Sequence, residues 1–454
     1  MESVKTCVSA FSGGNALNTE KKIGGYSKMK KVGVAILGLG TVGGGVYKIL
    51  TEKKEYFKRT QNLDVTVECV MERNVERAVS LGVDKSAISA NIEEVIGNPN
   101  VDVVVEVIGG VEPSRTFVLK ALMSGKTVVT SNKELFAKCW PELEEEARKT
   151  NAGLLFEASC VGGVPIIRVL QDGMQANEIL SLKGIINGTT NYILTKMALE
   201  GSSYETALKE AQKLGYAEFN PTADVEGFDA AYKLSILASL AFNTKISYTD
   251  VYREGITAVD KEDIAYGKTM GYTLKLLAIG KNGADGVDVR VHPTFIKNDN
   301  PLASVNDSFN AVHLVGDSVG EIMLYGRGAG ELPTGSAIVS DIIFAAKHAE
   351  NFYTCFKNNE KGNKETAFVG DFITKYYVRL SAKDEAGVMA KIAGTFAKNN
   401  VSLKEVKQIS SEKGKAEIIV VTHPAKESVM KKTLEKINAL EEVFAVKGNI
   451  RIED

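Results

Sequence analysis

The chain is poor in the residues that build metal centres and disulfide frameworks. Five cysteines, Cys7, Cys69, Cys139, Cys160 and Cys355, lie far apart with no CxxC pair, and only four histidines are present in 454 residues. Neither a zinc site nor a disulfide scaffold is expected, and a reducing compartment, the cytoplasm, is the default. No apolar run approaches the roughly 20 residues that span a bilayer. Basic tracts that follow phosphates are also missing: 55 basic side chains against 57 acidic ones give a formal net charge of -2. Membrane and nucleic acid are therefore not expected partners. Residues 1–28 have no arginine and no apolar signal core, so 1–29 reads as a disordered leader with Met29 as an alternative start. What is present, 44% hydrophobic and 25% charged residues, is ordinary for a soluble chain long enough for two or three domains.

Glycine carries the first signal. In "VGVAILGLGTVGGGVYKIL" an apolar strand pattern runs into Gly38, Gly40 and Gly43 and then a helix pattern, the context in which G-x-G-x-x-G binds a dinucleotide. The first glycine allows the turn, the second admits a pyrophosphate, and the third lets helix pack on strand. The helix start then offers N–H groups to the anion. A plain glycine turn is the competing reading. A second strand, "DVTVECVMERN", ends on Glu72 and Arg73, where the adenosine ribose is read. The acid favours NAD and the arginine a 2'-phosphate, so cofactor choice stays open. The apolar runs "VDVVVEVIGG" and "KTVVTSNKEL" predict a parallel sheet covered on both faces. Lys133 falls at a strand's carboxyl end, where such folds place their chemistry, although a surface lysine in a turn is the commoner case.

From Leu154 the pattern changes. "LLFEASCVGGVPII" reads as strand, glycine pair and a helix starting at Pro165, and "ILSLKGIINGTTNYILTKMALEG" as strand, polar N-capping turn and helix. Strands are expected within "KNGADGVDVRVHPTFI" and "AVHLVGDSVGEIMLYGRGAG", with a second glycine-rich turn, "YGRGAGELPTG", leading a helix back to the first domain. "KNNEKGNKETAFVG" reads as a linker. From Lys375 the order is βαββαβ, a ferredoxin-like arrangement. The expected class is thus α/β. A Rossmann-type dinucleotide domain spans 30–152 plus about 326–350, and a mixed-sheet α+β substrate and dimerisation domain spans 153–325. A linker at 351–373 precedes a ferredoxin-like domain at 374–454.

The stretch "AEFNPTADVEGFDAAYKL" concentrates carboxylates ahead of one lysine. Asp229 and Lys233 are four apart, so on a helix they share a face and pair. Such a run is either a solvated helix entry or a pocket for a small cationic substrate beside a proton donor.

With these residues in order, "GLGTVGGGV", "EVIGG", "SNKEL", "EASCVGGVPII", "NGTTNYIL", "GYAEFNPTADVEGFDAAYKL" and "GRGAGELPTGSAIVSDI", the chain resembles the homoserine dehydrogenase family over roughly 30–350, and its tail resembles the ACT amino-acid-binding fold. The resemblance implies NAD(P)-dependent interconversion of L-homoserine and L-aspartate 4-semialdehyde, on the way to threonine, methionine and isoleucine. It makes Lys233, paired with Asp229, the proton donor, and Lys133 the second lysine near the reacting oxygen and the nicotinamide. Glu218 and Asp224 would grip the substrate's α-ammonium, with Gly188 and Thr189 beside it. Thr41, Val42, Ile108, Gly109 and Gly328 join the glycine fingerprint, Lys133 and Arg73 against the cofactor, NADP or NAD. Glu157, Cys160, Gly162 and Val164 resemble a monovalent-cation loop that suits sodium. Asp384, Gly387 and Val388 resemble the ACT ligand loop, which implies allosteric amino-acid feedback, with threonine as the natural effector. A homodimer or homotetramer follows by the same resemblance. One departure stands out: the family pattern has aspartate where this chain has Asn220, which keeps an acceptor oxygen but brings no charge.

Two rival functions remain at this stage. A phosphorylating semialdehyde dehydrogenase would use Cys160 as nucleophile, the only cysteine in a glycine-flanked turn. A non-catalytic amino-acid sensor would use the tail and need neither lysine nor the glycine fingerprint.

Overall fold

The computed structural model describes residues 28–348, 350–351, 353–354, 356, 366–411 and 414–453. The expected leader up to Ser27, residues 357–365 of the linker, Cys7 and Cys355 lie outside the described residues.

Two sheets organise the chain. The first is wholly parallel and contains β1 (Lys30–Leu37), β2 (Leu63–Met71), β3 (Ile88–Ser89), β4 (Val103–Glu106), β5 (Thr127–Thr130) and β6 (Leu154–Leu155), in the order 3-2-1-4-5-6. This is the doubly wound Rossmann order, whose topological switch lies between β1 and β4. Val34, Ala35, Ile36, Val104 and Val105 are fully buried, as the unbroken apolar runs require of strands covered on both faces. The strand expected across "LLFEASC" is only two residues long; Glu157–Ser159 turns as a 3-10 helix, because Glu157 spends its carboxylate on backbone further along.

The helix Glu331–Lys347 returns to the first sheet, as the second glycine turn predicts. It approaches the helix Thr41–Glu52 so closely that a Cβ on Gly45 would stand 2.2 Å from the Glu331 carbonyl, and one on Gly335 2.9 Å from Gly45.

The second sheet holds the remaining eleven strands. These are β7 (Ile179–Ile185), β8 (Tyr252–Arg253), β9 (Tyr272–Gly283), β10 (Gly286–Lys297), β11 (Phe309–Gly316), β12 (Gly320–Arg327), β13 (Ile373–Lys383), β14 (Leu403–Ser411), β15 (Lys415–Thr422), β16 (Ala425–Lys426) and β17 (Val443–Glu453). The main path runs 12-11-7-9-10-17-13-15-14, with β8 on β10 and β16 on β13. The tail has the expected βαββαβ order, with helices Val388–Lys398 and Glu427–Asn438, and its Tyr376, Val378 and Phe396 form a separate small core. Its sheet does not stand apart, however. Thr294, Phe295 and Ile296 of β10 pair in parallel with Arg451, Ile452 and Glu453 of β17, so one sheet runs from the middle of the chain into the tail.

Charge is buried along that junction. Arg290, Arg379 and Arg451 are at most 2% exposed. From β13, Arg379 donates to Asp263 at 2.6 Å, Glu262 at 2.5 Å and Asp260 at 3.0 Å, all at the start of the helix Lys261–Thr269. Gly448 brings β17 backbone against the same carboxylate, since a Cβ there would lie 2.5 Å from Asp263. Burial pushes the Asp263 carboxyl up, and Arg379 opposes that rise. Arg451 holds Glu427 and Glu254, and Arg290 holds Glu453 at 3.1 Å.

Removing one partner of such a buried pair costs far more than the pair contributes net. Arg379→Met is expected to lower stability by roughly 3–5 kcal/mol, read as a lower urea midpoint. Combining it with Asp263→Leu should recover most of the loss; equal midpoints for wild type and Arg379→Met would show that the junction carries no stability.

Candidate active site

Each fingerprint glycine meets a different surrounding. Gly38 sits in the left-handed region at φ +94, where the chain turns out of β1. A Cβ on Gly43 would lie 2.0 Å from the Gly38 carbonyl, whereas one on Gly40 meets nothing within 4 Å. Only the middle glycine faces open space, directly before the helix whose first residues are Thr41 and Val42. Those surroundings fit a pyrophosphate over Gly40 and exclude bulk at the other two positions.

The residues after β2 behave unequally. Glu72 turns back and accepts from the Leu39 N–H at 2.7 Å and the Asn74 N–H at 2.9 Å. Burial raises its pKa, but these backbone donors outweigh it and hold the carboxyl below its usual range. Arg77 donates to the Leu39 carbonyl at 2.8 Å, so the glycine turn is gripped on both sides. Arg73 is exposed, and its guanidinium has no ion pair among the described residues.

Beyond β4, Ile108 and Gly109 both donate their N–H groups to the buried Glu106 carboxylate, at 2.9 and 3.3 Å. Those N–H groups are therefore committed, leaving the Ile108 side chain and the space over Gly109 (φ +87) as what this turn presents. Asn132 ties that turn to the next helix: it donates to the Gly110 carbonyl at 2.6 Å and caps the Leu135 N–H at 3.1 Å. Lys133 follows it as the first residue of the helix Lys133–Thr150. The sequence reading missed Asn132 and Glu106, although a polar residue at a helix start signals the cap.

The acidic stretch closes on the same point. Gly227, at φ +78, ends the loop and starts the helix Phe228–Ala241, which is apolar almost all round. On that helix Asp229 is 4% exposed and Lys233 9%. Lys233 Nζ donates to Asp229 Oδ2 at 2.6 Å and to the Ile186 carbonyl at 3.0 Å. Lys133 Nζ stands 3.3 Å from the other oxygen, Oδ1. Two lysines from opposite halves of the chain thus share one carboxylate, and the Lys133 side chain, 43% exposed, opens to the cleft. Burial alone would raise the Asp229 pKa, but the two ammonium groups hold it well below the usual carboxylate range. The Asp229 charge in turn raises Lys133 above 10.5, against the effect of burial.

Asp224 accepts from the Asn187 amide at 2.7 Å, and burial followed by the Asp229 charge pushes its pKa up. Thr189 donates its hydroxyl to the Tyr216 carbonyl at 2.6 Å, so only its acceptor positions are free. Gly188 fits because a Cβ would stand 2.8 Å from the Ser308 carbonyl. Glu218 is exposed on the rim and adds negative potential at Lys133. Asn220 accepts from its own neighbour Thr222, at 3.3 Å from N–H and 2.7 Å from the hydroxyl. The position that departs from the family pattern therefore folds back on its own loop.

The Glu157–Val164 loop lies behind Lys233. Glu157 accepts the Ile167 and Arg168 N–H groups on its two carboxylate oxygens, both at 2.8 Å, and the Cys160 N–H on its carbonyl at 3.5 Å. Val161 and Gly162 take positive φ, 55 and 53, and the Cys160 and Gly162 carbonyls accept no hydrogen bond among the described residues. Val164 spends its carbonyl on Ile166 at 2.8 Å. Gly328, expected at the cofactor, backs this loop: a Cβ on Gly162 would lie 2.2 Å from its carbonyl. The Cys160 thiol is fully buried, bonds the Lys233 carbonyl at 3.8 Å and is pushed up to about 12 by burial. A buried thiol held in its neutral form is a poor nucleophile, so the Cys160 chemistry is not favoured. A cavity of about 450 Å³ lies on the far side, lined by Glu157, Arg168, Asp341 and Phe344, and includes neither lysine. In the tail, Asp384 accepts from Gln408 at 2.9 Å, Gly387 (φ +91) starts its helix, and Val388 is buried beneath it.

A glycine-fingerprint Rossmann sheet whose carboxyl ends face two lysines on one carboxylate defines a dinucleotide-dependent oxidoreductase acting on a carbonyl or alcohol. Comparison with known proteins makes the class particular. The family profile "Homoserine dehydrogenase, NAD binding domain" matches residues 38–157, "Homoserine dehydrogenase" matches 165–343, and "ACT domain" matches 376–442. The homoserine dehydrogenase of Bacillus subtilis is 40% identical over 438 residues, 94% of this chain and 99% of that protein. That of Mycobacterium tuberculosis is 40% identical over 434 residues, 93% and 98%. A crystal structure of a homoserine dehydrogenase from Thiobacillus denitrificans superposes with a TM-score of 0.88 at 38% identity, covering 94% of this chain and all of that one. A hyperthermophilic archaeal homoserine dehydrogenase in complex with NADPH covers 71% of this chain and all of its own, with a TM-score of 0.61 at 29% identity. The chain belongs to the homoserine dehydrogenase family and is an oxidoreductase of that activity, EC 1.1.1.3, with an NAD(P)-binding domain and a C-terminal ACT domain. No helix among the described residues is long and apolar enough to cross a membrane.

Because the Asp229 charge raises Lys133, Asp229→Asn should lower the basic limb of the pH–rate profile for semialdehyde reduction by about one unit or more. The sign follows from the charge: Lys133 is raised by Asp229, stays protonated through neutral pH, and loses that support when the anion is removed. An unmoved limb in an active, folded variant would show that Lys133 does not limit the rate.

Proposed function

We propose that Lys133 and Lys233, organised by Asp229, form the proton-transfer site for homoserine oxidation and semialdehyde reduction. The observation that carries this reading is the shared carboxylate, with Oδ2 on Lys233 at 2.6 Å and Oδ1 on Lys133 at 3.3 Å. The bound nicotinamide supplies the hydride acceptor in oxidation and the donor in reduction. In oxidation a lysine amine takes the hydroxyl proton as hydride leaves the same carbon; in reduction an ammonium returns it to the developing alkoxide. Asp224 and Glu218 bind the substrate's α-ammonium, and Gly188 and Thr189 contribute acceptor oxygens beside it. Gly38, Gly40, Thr41, Val42, Gly43, Ile108, Gly109 and Gly328 shape the cofactor side.

NADP is the preferred cofactor in this reading, because Arg73 is exposed and has no ion pair among the described residues, while Glu72 is withdrawn onto Leu39 N–H. Sodium or another monovalent cation would sit on the carbonyls of the 157–164 loop, supported by the unbonded oxygens of Cys160 and Gly162. The loop at Asp384, Gly387 and Val388 would take an amino-acid effector, threonine first among them. A cytoplasmic homodimer or homotetramer completes the proposal, with domains at 30–152 plus 326–350, 153–325 and 374–454.

One assay series tests these assignments: homoserine-dependent reduction of NADP and NAD at alkaline pH, in sodium, potassium or choline chloride. Lys233→Ala should retain its fold and lose activity by about 10²-fold or more. Arg73→Ala should lose about 10-fold or more in kcat/KM with NADP while NAD is spared. Full activity in Lys233→Ala would reject the lysine's role, and equal losses with both cofactors would reject the role of Arg73.

A further inference from the structure

Asn187 occupies a place that capping alone does not explain. It precedes the helix Gly188–Glu200 with an extended backbone, φ -127 and ψ 113, and is 5% exposed. Its Oδ1 accepts from the Thr190 N–H and from the Thr190 hydroxyl, both at 2.9 Å. That fixes which end of the amide faces the helix. The opposite end, Nδ2, donates to Asp224 Oδ1 at 2.7 Å and to Asp229 Oδ2 at 2.8 Å. An amide nitrogen has two protons and an amide oxygen two lone pairs, so all four hydrogen-bonding positions are used.

We infer that Asn187 is a positioning residue that holds the substrate-binding carboxylate of Asp224 and the lysine-binding carboxylate of Asp229 side by side, both ionised. The inference rests on the roles of those two residues proposed above. Two buried carboxylates that share a site repel, and one of them is driven towards protonation unless donors intervene. Asp224, half-buried, is the weaker side of that conflict: its pKa is raised by burial and by Asp229, and lowered by Asn187, Lys233 and Lys133. Asp229 faces Lys233 and Lys133 as well as Asn187, and Lys133 also feels Glu218. Each lysine sits on Asp229, so Asn187 is the group that donates a hydrogen bond to both carboxylates at once. A protonated Asp224 would no longer attract an ammonium group, and homoserine binding would fail from the acid side.

Two substitutions separate this role from capping. Ser and Asp cap helices about as well as Asn, so Asn187→Ser should keep a thermal midpoint close to wild type, while Asn187→Asp, which adds a buried charge, should fold with a lower one. Neither can donate to both carboxylates, and Asn187→Asp adds a third negative charge. The acid limb of kcat/KM for the semialdehyde, measured in the reduction direction where the lysines must be protonated, should therefore move up by about one pH unit in Asn187→Ser and further in Asn187→Asp. KM for the dinucleotide should stay as in wild type. A wild type that reduces the semialdehyde, with both folded variants keeping its acid limb, overturns the positioning role alone. A wild type inert towards the semialdehyde overturns the catalytic reading beneath it.

Discussion

The site depends on one constraint: a buried carboxylate cannot keep its charge without partners, and Asp229 has two lysines. Lys233 reaches it from the same helix and Lys133 from the first sheet's far end. The shared anion therefore fixes the distance between the dinucleotide-binding half and the substrate half. A second carboxylate so near would be forced towards neutrality in an apolar surround, which is why the Asn187 amide stands between Asp224 and Asp229.

Much of this was legible in the sequence because it is written in short-range spacing. Three glycines at fixed offsets after an apolar strand encode a turn, an opening and a close contact, and each has that surrounding. Asp229 and Lys233 share a helix face simply because they are four residues apart. The alternation of apolar runs with helix patterns likewise gave the Rossmann-type parallel sheet and the βαββαβ tail.

What the sequence hid are contacts made across long separations and choices between equivalent partners. Nothing local says that Glu72 binds the Leu39 N–H rather than facing outward, leaving Arg73 alone at the strand end. "NGTTN" reads as a cap, and it is one, but the two protons on the other side of the Asn187 amide find carboxylates about forty residues away in the chain. The short β6 was overestimated because "LLFEASC" has strand-like residues while Glu157 is pulled into satisfying backbone beyond it. The tail looked self-contained because its own core is complete; only the register of Thr294–Ile296 with Arg451–Glu453 shows that its sheet belongs to a larger one.

That register also orders events in time. On the ribosome β17 is made after every other described strand, whereas β10 is made long before it. Until β17 emerges, Thr294, Phe295 and Ile296 present an open edge to whatever strand they meet, and Arg290 waits without Glu453. The sheet that carries the substrate half is thus closed only once β17 has been made, and until then Thr294–Ile296 is a free edge where the folded chain has a partner.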